Sequence, residues 1–460
     1  MILLGALTAA LLLVKVNIGL FVFLAASAAI LVHSPKTKHS RLAFHAVAAA
    51  SLILPVALMR SHLNDGPTRM YAVLVVSSMI SALLVLYRTP RTIYFRFRDC
   101  LIALGSFAIM LVAVILVLKL EGIGLNAMLH ALVFNSLTSY VNQGGWYLAL
   151  PADTGWFPWI FGGLAAAVFF SRKSVHKDHT EQGVFYLKLA LSVFAVVAWF
   201  AGIQMFTLVL PFCWLVLYAR SDYKSESKAF PRTLLCLLTI LQALYAYPVA
   251  GSQRSFIQVL PIVVVIAISG DLLQYRQKEL PVIPPPLIRA GASVLLLCVA
   301  ATYLVIAHDE RQVYDSLPSL QLQGARRIHL QQSQAQDYRW LVQNLNNHCD
   351  IFMGLPEIPS LHIWTGKDPL AGLEMDDWML AANSEQQIAA AAALSDHPNA
   401  CAIYNPALTS FWNRTNQNMD TLPLVRYVHE NFKVVGGGWA SFISWFTMSA
   451  KLKSRRFVRS

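Results

Sequence analysis

Lys15 and Asn17 interrupt a run that is otherwise apolar from residue 2 to 32, with Gly19 just beyond. Polar groups at membrane depth are costly and mark functional sites by default. The spacing predicts a kinked helix whose ammonium either faces a protein cavity or pairs with a neighbouring helix. A second cluster is Tyr247-Pro248-Val249-Ala250-Gly251-Ser252-Gln253-Arg254. Pro and Gly break the helix and free backbone amides, Ser252 and Gln253 add hydrogen-bonding groups, and the Arg254 fork matches a phosphate bidentately. A tight turn between two helices accounts for the same residues. Lys188, near the end of an apolar run, reads as a cation that snorkels to the interface.

Aromatic groups supply the other candidates. The connection 121–153 holds His130, Asn135, Asn142, Gln143 and Trp146, with Trp156 just beyond. Apolar residues over 125–132 predict a helix lying in the interface, where tryptophans serve as anchors. The segment 356–378 combines Pro356, Pro359, His362, Trp364, Pro369 and Trp378 in a long connection with little regular pattern. Such loops are often functional. Trp364 and Trp378 would either stack on a sugar acceptor or pack the domain that carries them. No P-loop, HExxH, paired CxxC, GxSxG or glycine-rich dinucleotide fingerprint occurs, so a nucleotide-driven pump, a zinc protease and a serine hydrolase have no support.

The elements that must position these groups follow from composition. Of 460 residues, 13% are charged and 56% hydrophobic, where soluble domains carry about 25% charged residues. Mean hydropathy is +0.53. A disordered chain and an ordinary cytosolic enzyme are excluded, and the expectation is a polytopic α-helical membrane protein. Spanning helices need about 20 apolar residues, and about ten runs qualify: 2–32, 42–59, 70–87, 101–118, 156–170, 184–201, 203–218, 233–250, 255–275 and 287–307. The tract 184–218 is split at Gly202 because it is long enough for two passes.

Basic residues alternate between connections. Lys36, Lys38 and Arg41, then Arg88 to Arg98, Arg172 to Lys177, Arg220 to Arg232, and Arg276 with Lys278 fall in every second loop. The positive-inside rule makes those loops cytoplasmic and puts the N-terminus and everything after Ala307 outside. The net charge of +12 is distributed as loops facing an anionic leaflet would be, and nucleic acid is not an expected partner. Met1 enters its apolar segment without a charged n-region, so further helices are expected ahead of it.

Residues 1–307 therefore form a transmembrane domain and 308–460 an extracytoplasmic one. In the second, a helix after Ser333, a strand over 349–353, a helix from Ser384 with Gln387 completing a capping box, a strand over 400–404, a helix around 424–430 and a strand over 432–435 predict a small α/β domain. Asn405-Pro406 should start a further helix. Cys349 and Cys401 would be either a disulfide or two buried thiols. Cys213, Cys236 and Cys298 read as small buried hydrophobes. The basic residues from Lys451 to Arg459 read as a solvated tail or a contact with anionic headgroups.

This plan, together with Leu13-Val14-Lys15-Val16-Asn17-Ile18-Gly19, Tyr247 to Gln253 and Phe352-Met353-Gly354-Leu355-Pro356, resembles the polyprenyl-phosphate-sugar-dependent glycosyltransferases of the GT-C membrane fold. The resemblance implies transfer of a sugar from a polyprenyl-phosphate carrier to an acceptor at the outer face of the bacterial inner membrane. It implies a carboxylate in the first outer loop as base or metal ligand, with room for a divalent cation. On this resemblance the chain is expected to begin after that loop, so no catalytic acid is carried onto it. Arg254 and Lys15 are the candidates for the donor phosphate, with Tyr247, Ser252 and Gln253 in the junction beside them. The rival class is a non-enzymatic transporter or sensor with an outer ligand-binding domain. Transporters favour inverted repeats, which this sequence does not display.

Overall fold

The computed structural model of the chain describes residues 1–88, 93–129, 157–171, 177–201, 204–218, 229–247, 253–273, 285–356, 358–370, 382, 384–405, 409, 419–437 and 444–448. The chain forms two compact units, the first ending at Arg289 and the second beginning at Ala290. The first contains α1 (Ile2–Val14), α2 (Val16–Val32), α3 (Lys38–Met59), α4 (Gly66–Arg88), α5 (Phe97–Leu120), α6 (Leu125–Leu129), α7 (Phe157–Ser171), α8 (Lys177–Phe200), α9 (Met205–Val209), α10 (Ala229–Gln242), α11 (Gln253–Ile257) and α12 (Val259–Leu273). Short 3-10 segments lie at Arg60–His62, Leu210–Leu217 and Ala243–Ala246.

Among the described residues six helices are long and apolar enough to cross a membrane: Lys38–Met59, Gly66–Arg88, Arg98–Leu120, Glu181–Phe200, Ala229–Ala246 and Gln253–Leu272. At 1.5 Å per residue, helices of this size match a hydrocarbon core of about 30 Å. The mostly helical chain thus has the span content of a polytopic helical membrane protein. The tract 184–218 is interrupted as expected, with α8 ending at Phe200 and α9 beginning at Met205, while Gly202 lies outside the described residues. After α9 the chain tightens into the 3-10 segment Leu210–Leu217, which packs against α4, α7 and α10. Its residues from Leu210 to Val216 are all buried, and Trp214 is wholly enclosed. Cys213 and Cys236 are buried thiols there.

The first apolar run departs from expectation. It forms two helices, not one, because the backbone at Lys15 leaves the helical region (φ −153°, ψ 105°). A Cβ at Gly19 would overlap the backbone of Leu12. In a continuous helix residues 12 and 19 stand about 10 Å apart, so α1 and α2 fold back on each other as a hairpin with Lys15 at its tip. A Cβ at Gly5 would likewise meet the Ala103 carbonyl and Ser106 of α5. The missing side chains at Gly5 and Gly19 are what let three backbones approach. Gly5 thereby lies beside the first turns of α5, and the Met1 end of α1 shares the His33 and Arg96 end of the bundle. A single span over 2–32 would have put Met1 at the opposite end.

The second unit begins within α13 (Pro285–Ser316), a 32-residue helix that runs through residue 307 without a break. It continues with α14 (Gln332–His348), β1 (Ile351–Leu355), α15 (Pro359–Thr365), α16 (Ser384–Ser395), β2 (Ala400–Tyr404), α17 (Pro423–Asn431), β3 (Phe432–Gly437) and β4 (Ser444–Met448). The sheet order is β1-β2-β4-β3, with β1 and β2 parallel and the other pairs antiparallel. Period-two alternation sends Phe352, Cys401 and Ile403 to the face packed with Leu341, Leu345 and Leu361 of α14 and α15. Met353, Leu355, Ala400 and Ala402 face Leu394, Leu424 and Val428 of α16 and α17. Cys349 and Cys401 are bonded as a disulfide across 52 residues, which decides between the two readings of that pair.

Three local expectations change. The segment after Pro356 is not wholly irregular, because Pro359 starts α15 at a position where its missing N–H costs nothing. Gln387 does not cap its own helix; its amide donates to the Ala382 carbonyl at 3.0 Å and accepts from the Leu424 N–H at 3.5 Å, linking the starts of α16 and α17. Strand β4 was not anticipated. The interfacial helix is described only as α6, and residues 130–150, Trp156, 406–408, Cys298's side chain and the basic tail lie outside what is described.

Candidate functional site

The Lys15 ammonium, at the tip of the α1–α2 hairpin, sits over the Tyr245 ring at 4.4 Å from its centroid and donates to the Tyr245 hydroxyl at 3.1 Å. Of the two readings of Lys15, pairing with a neighbouring element is the one observed, yet the side chain stays exposed. Tyr245 belongs to the 3-10 turn Ala243–Ala246, which the buried Tyr71 of α4 holds by donating its hydroxyl to the Ala243 carbonyl at 2.5 Å. At Tyr247 the chain turns extended (φ −95°, ψ 142°). Its hydroxyl lies 2.8 Å from Nδ1 of His62, on the turn between α3 and α4. Helix, hairpin tip and turn therefore grip five consecutive residues, and those residues lead directly into the junction before α11.

Asp65 completes this end of the bundle. Its carboxylate accepts from the Thr68 N–H and hydroxyl, each at 3.2 Å, and so caps the start of α4. Burial lowers the His62 pKa from its ordinary 6.5, and the nearby Asp65 carboxylate offsets part of that shift. Arg254 lies half-buried on α11, and Phe256 on the same helix packs its ring edge-on to Tyr245 at 6.2 Å. Among the described residues neither Lys15 nor Arg254 has a carboxylate partner. Lys15, two tyrosines and a histidine come together here, while Arg254 stands on the adjoining short helix, two residues before Phe256 and so on a different side of it.

The expected site residues are thus distributed unevenly. Lys15 and Tyr247 come to one short segment through Tyr245 and His62, and Gln253 and Arg254 open α11 next to it. Ser252 lies outside the described residues. Trp364 belongs to the second unit, where its half-buried ring stands edge-on to Tyr338 at 5.3 Å and packs against the buried cluster of Leu320, Ala325 and Ala335; Trp378 lies outside the described residues. Sequence reasoning overlooked His62, Tyr245 and Tyr71, although a His-x-x-Asp between Arg60 and Arg69 in a short connection was a usable signal. Among the described residues no three His, Cys, Asp or Glu side chains gather as a metal site.

A second charged cluster occupies the other end. Lys188 does not snorkel: it is 5% exposed and donates to Asp271 at 2.6 Å and to the Tyr218 carbonyl at 2.5 Å. Arg232 binds both Asp271 oxygens, one at 2.9 Å, and also the Val216 carbonyl at 3.0 Å. The final carbonyls of the 3-10 segment Leu210–Leu217 are orphans of a helix end, so two cations from α8 and α10 cap it and share the single carboxylate of Asp271 on α12. No protein-family model, curated protein or solved structure matches the chain.

Proposed function

We propose that this chain is a membrane-embedded glycosyltransferase-type protein that binds the phosphate of a polyprenyl-phosphate-linked sugar at the Lys15–Tyr245–Arg254 end of its helical unit. The observation that carries the reading is the convergence of Lys15 and Tyr245, 230 residues apart, on the segment that leads to Arg254. Developing charge on a leaving phosphate needs cations held in place in a partly dry site. The ten-span plan enters this proposal with its first run folded as a hairpin, which leaves the loop after His33 at the basic end and preserves the alternation of later loops. In that orientation the basic loops are cytoplasmic, the phosphate end faces outward, and the C-terminal α/β domain is extracytoplasmic in the bacterial inner membrane. The disulfide supports this orientation, since such bonds persist in oxidising compartments. Trp364 is not assigned an acceptor contact, because its ring packs on Tyr338, and no catalytic carboxylate or divalent-cation ligand is assigned.

The test is binding of a fluorescent farnesyl phosphodiester to the protein in phosphatidylcholine nanodiscs at pH 7.5. Loss of a charge-assisted hydrogen bond is worth about 1.5–3 kcal/mol, so Arg254→Ala should weaken binding by roughly ten- to a hundredfold. Arg254→Lys should fall between, keeping charge but losing the fork, and Lys15→Met should also weaken binding. Equal affinities for wild type and all three variants would overturn the phosphate assignment.

A further inference from the structure

The 2.8 Å contact between His62 Nδ1 and the Tyr247 hydroxyl ties a titratable ring to the segment that leads to Arg254. We propose that this pair is a proton-linked switch for the anion site: a neutral His62 accepts the Tyr247 O–H at Nδ1, and a protonated His62 turns that O–H outward to the bound phosphodiester. The inference rests on the phosphate reading above and specifies its regulation. The chemistry follows from the donor inventory. A neutral imidazole nitrogen can accept a hydroxyl hydrogen, whereas an imidazolium donates at both nitrogens. On protonation Nδ1–H donates to the Tyr247 oxygen, and the phenolic hydrogen must point elsewhere. One proton is taken from solvent as one anion binds, no covalent bond changes, and the net charge of the occupied site is conserved.

The charged and titratable groups on the elements around His62 are Arg60 on its own turn, Asp65 on the same connection, Arg69 on the first turn of α4, Lys15 at the hairpin tip, Tyr247, and Arg254 on α11. By residue type, His62 alone among them changes charge between pH 5 and 8. Its burial keeps the ring neutral at pH 7 in the empty site. A bound anion stabilises the imidazolium and raises its pKa, so by linkage affinity must rise as pH falls through that value. An opposite charge within about 4–6 Å shifts a pKa by about 1–3 units, which sets the expected tightening at tenfold or somewhat more.

The experiment measures the Kd of the farnesyl phosphodiester, whose phosphate carries one negative charge throughout, in phosphatidylcholine nanodiscs at pH 7.5, 6.5 and 5.5. Wild type should tighten roughly tenfold across the series. His62→Gln keeps a hydrogen-bonding side chain but cannot charge, and should lose the pH response; Tyr247→Phe should lose most of it. Size-exclusion profiles and melting curves at each pH establish that the variants are folded. A pH response retained in His62→Gln, a full response in Tyr247→Phe, or a flat wild-type series with binding present, would overturn the switch. Absence of binding by wild type at every pH would overturn the phosphate reading itself, a separate outcome.

Discussion

Asp271→Asn removes the anion from a cluster of two cations buried at one end of the helical unit. The side chains of Lys188, Arg232 and Asp271 are 6%, 15% and 16% exposed, so water does little to screen them. At 2.6 Å and an effective dielectric of about 20, the Lys188–Asp271 attraction alone is roughly 6 kcal/mol before desolvation is subtracted. Neutralising Asp271 leaves two uncompensated cations facing each other, and breaking a buried pair in this way typically costs about 3–5 kcal/mol. Lys188→Met is the informative contrast. It removes one cation but leaves Asp271 held by both Arg232 nitrogens and the cluster neutral, so the loss is mainly the charge-assisted hydrogen bond to the Tyr218 carbonyl, about 1.5–3 kcal/mol. Denaturant unfolding in detergent, followed by tryptophan fluorescence, ranks the variants. Asp271→Asn within about 0.5 kcal/mol of wild type, or less damaging than Lys188→Met, would refute the capping account, since 0.5 kcal/mol is the scale of an ordinary surface change.

Cys349→Ser/Cys401→Ser, or reductant added to wild type, should destabilise the second unit by about 4 kcal/mol on the loop-closure estimate for a sequence separation of 52; unchanged melting under reductant would count against the bond. Trp364→Ala should lower stability by about 2–3 kcal/mol, the lower end for a large aromatic because the ring is half-buried, and an unaltered melting curve would return Trp364 to the role of a surface-stacking ring. A cysteine at residue 2 should label from the same side of the membrane as one at Ser40. Labelling from opposite sides would mean that α1 and α2 form one continuous span.

Much of the fold is legible because burial writes periodicity into sequence. The strand over 400–404, the helices expected after Ser333 and from Ser384, and the break between α8 and α9 all follow from alternation, helical spacing or run length. β4 was missed because Ser444-Trp445-Phe446-Thr447-Met448 lacks a clean period of two. The α1–α2 hairpin was missed for a different reason. A hydropathy sum over 2–32 is the same whether the chain runs straight or reverses at Lys15, and only contacts of Gly5 and Gly19 with other backbones tell the two apart. Asp271 went unremarked as one acid in a long apolar run. Its partners lie 39 and 83 residues away, and the His62–Tyr247 pair is separated by 185. Pattern within a window of a dozen residues holds no record of such encounters.

The two charged clusters of the helical unit differ in a way that bears on where function resides. In the Lys188–Arg232–Asp271 group every cation has a carboxylate and a helix-end carbonyl, and these groups come from three helices and the buried 3-10 segment. An arrangement so fully paired resists change, because moving any member leaves another charge in a poorly solvated place. At the Lys15 end the carboxylate of Asp65 is engaged in capping α4, while among the described residues Lys15 is held only by a phenol and its ring and Arg254 has no carboxylate. Cations left with weak partners at the edge of an apolar bundle favour an incoming anion, because binding adds an attraction without first breaking an ion pair. On the proposed reading the paired end is the fixed frame, and the end around Tyr245 and Tyr247 is where a ligand would alter the balance of charge.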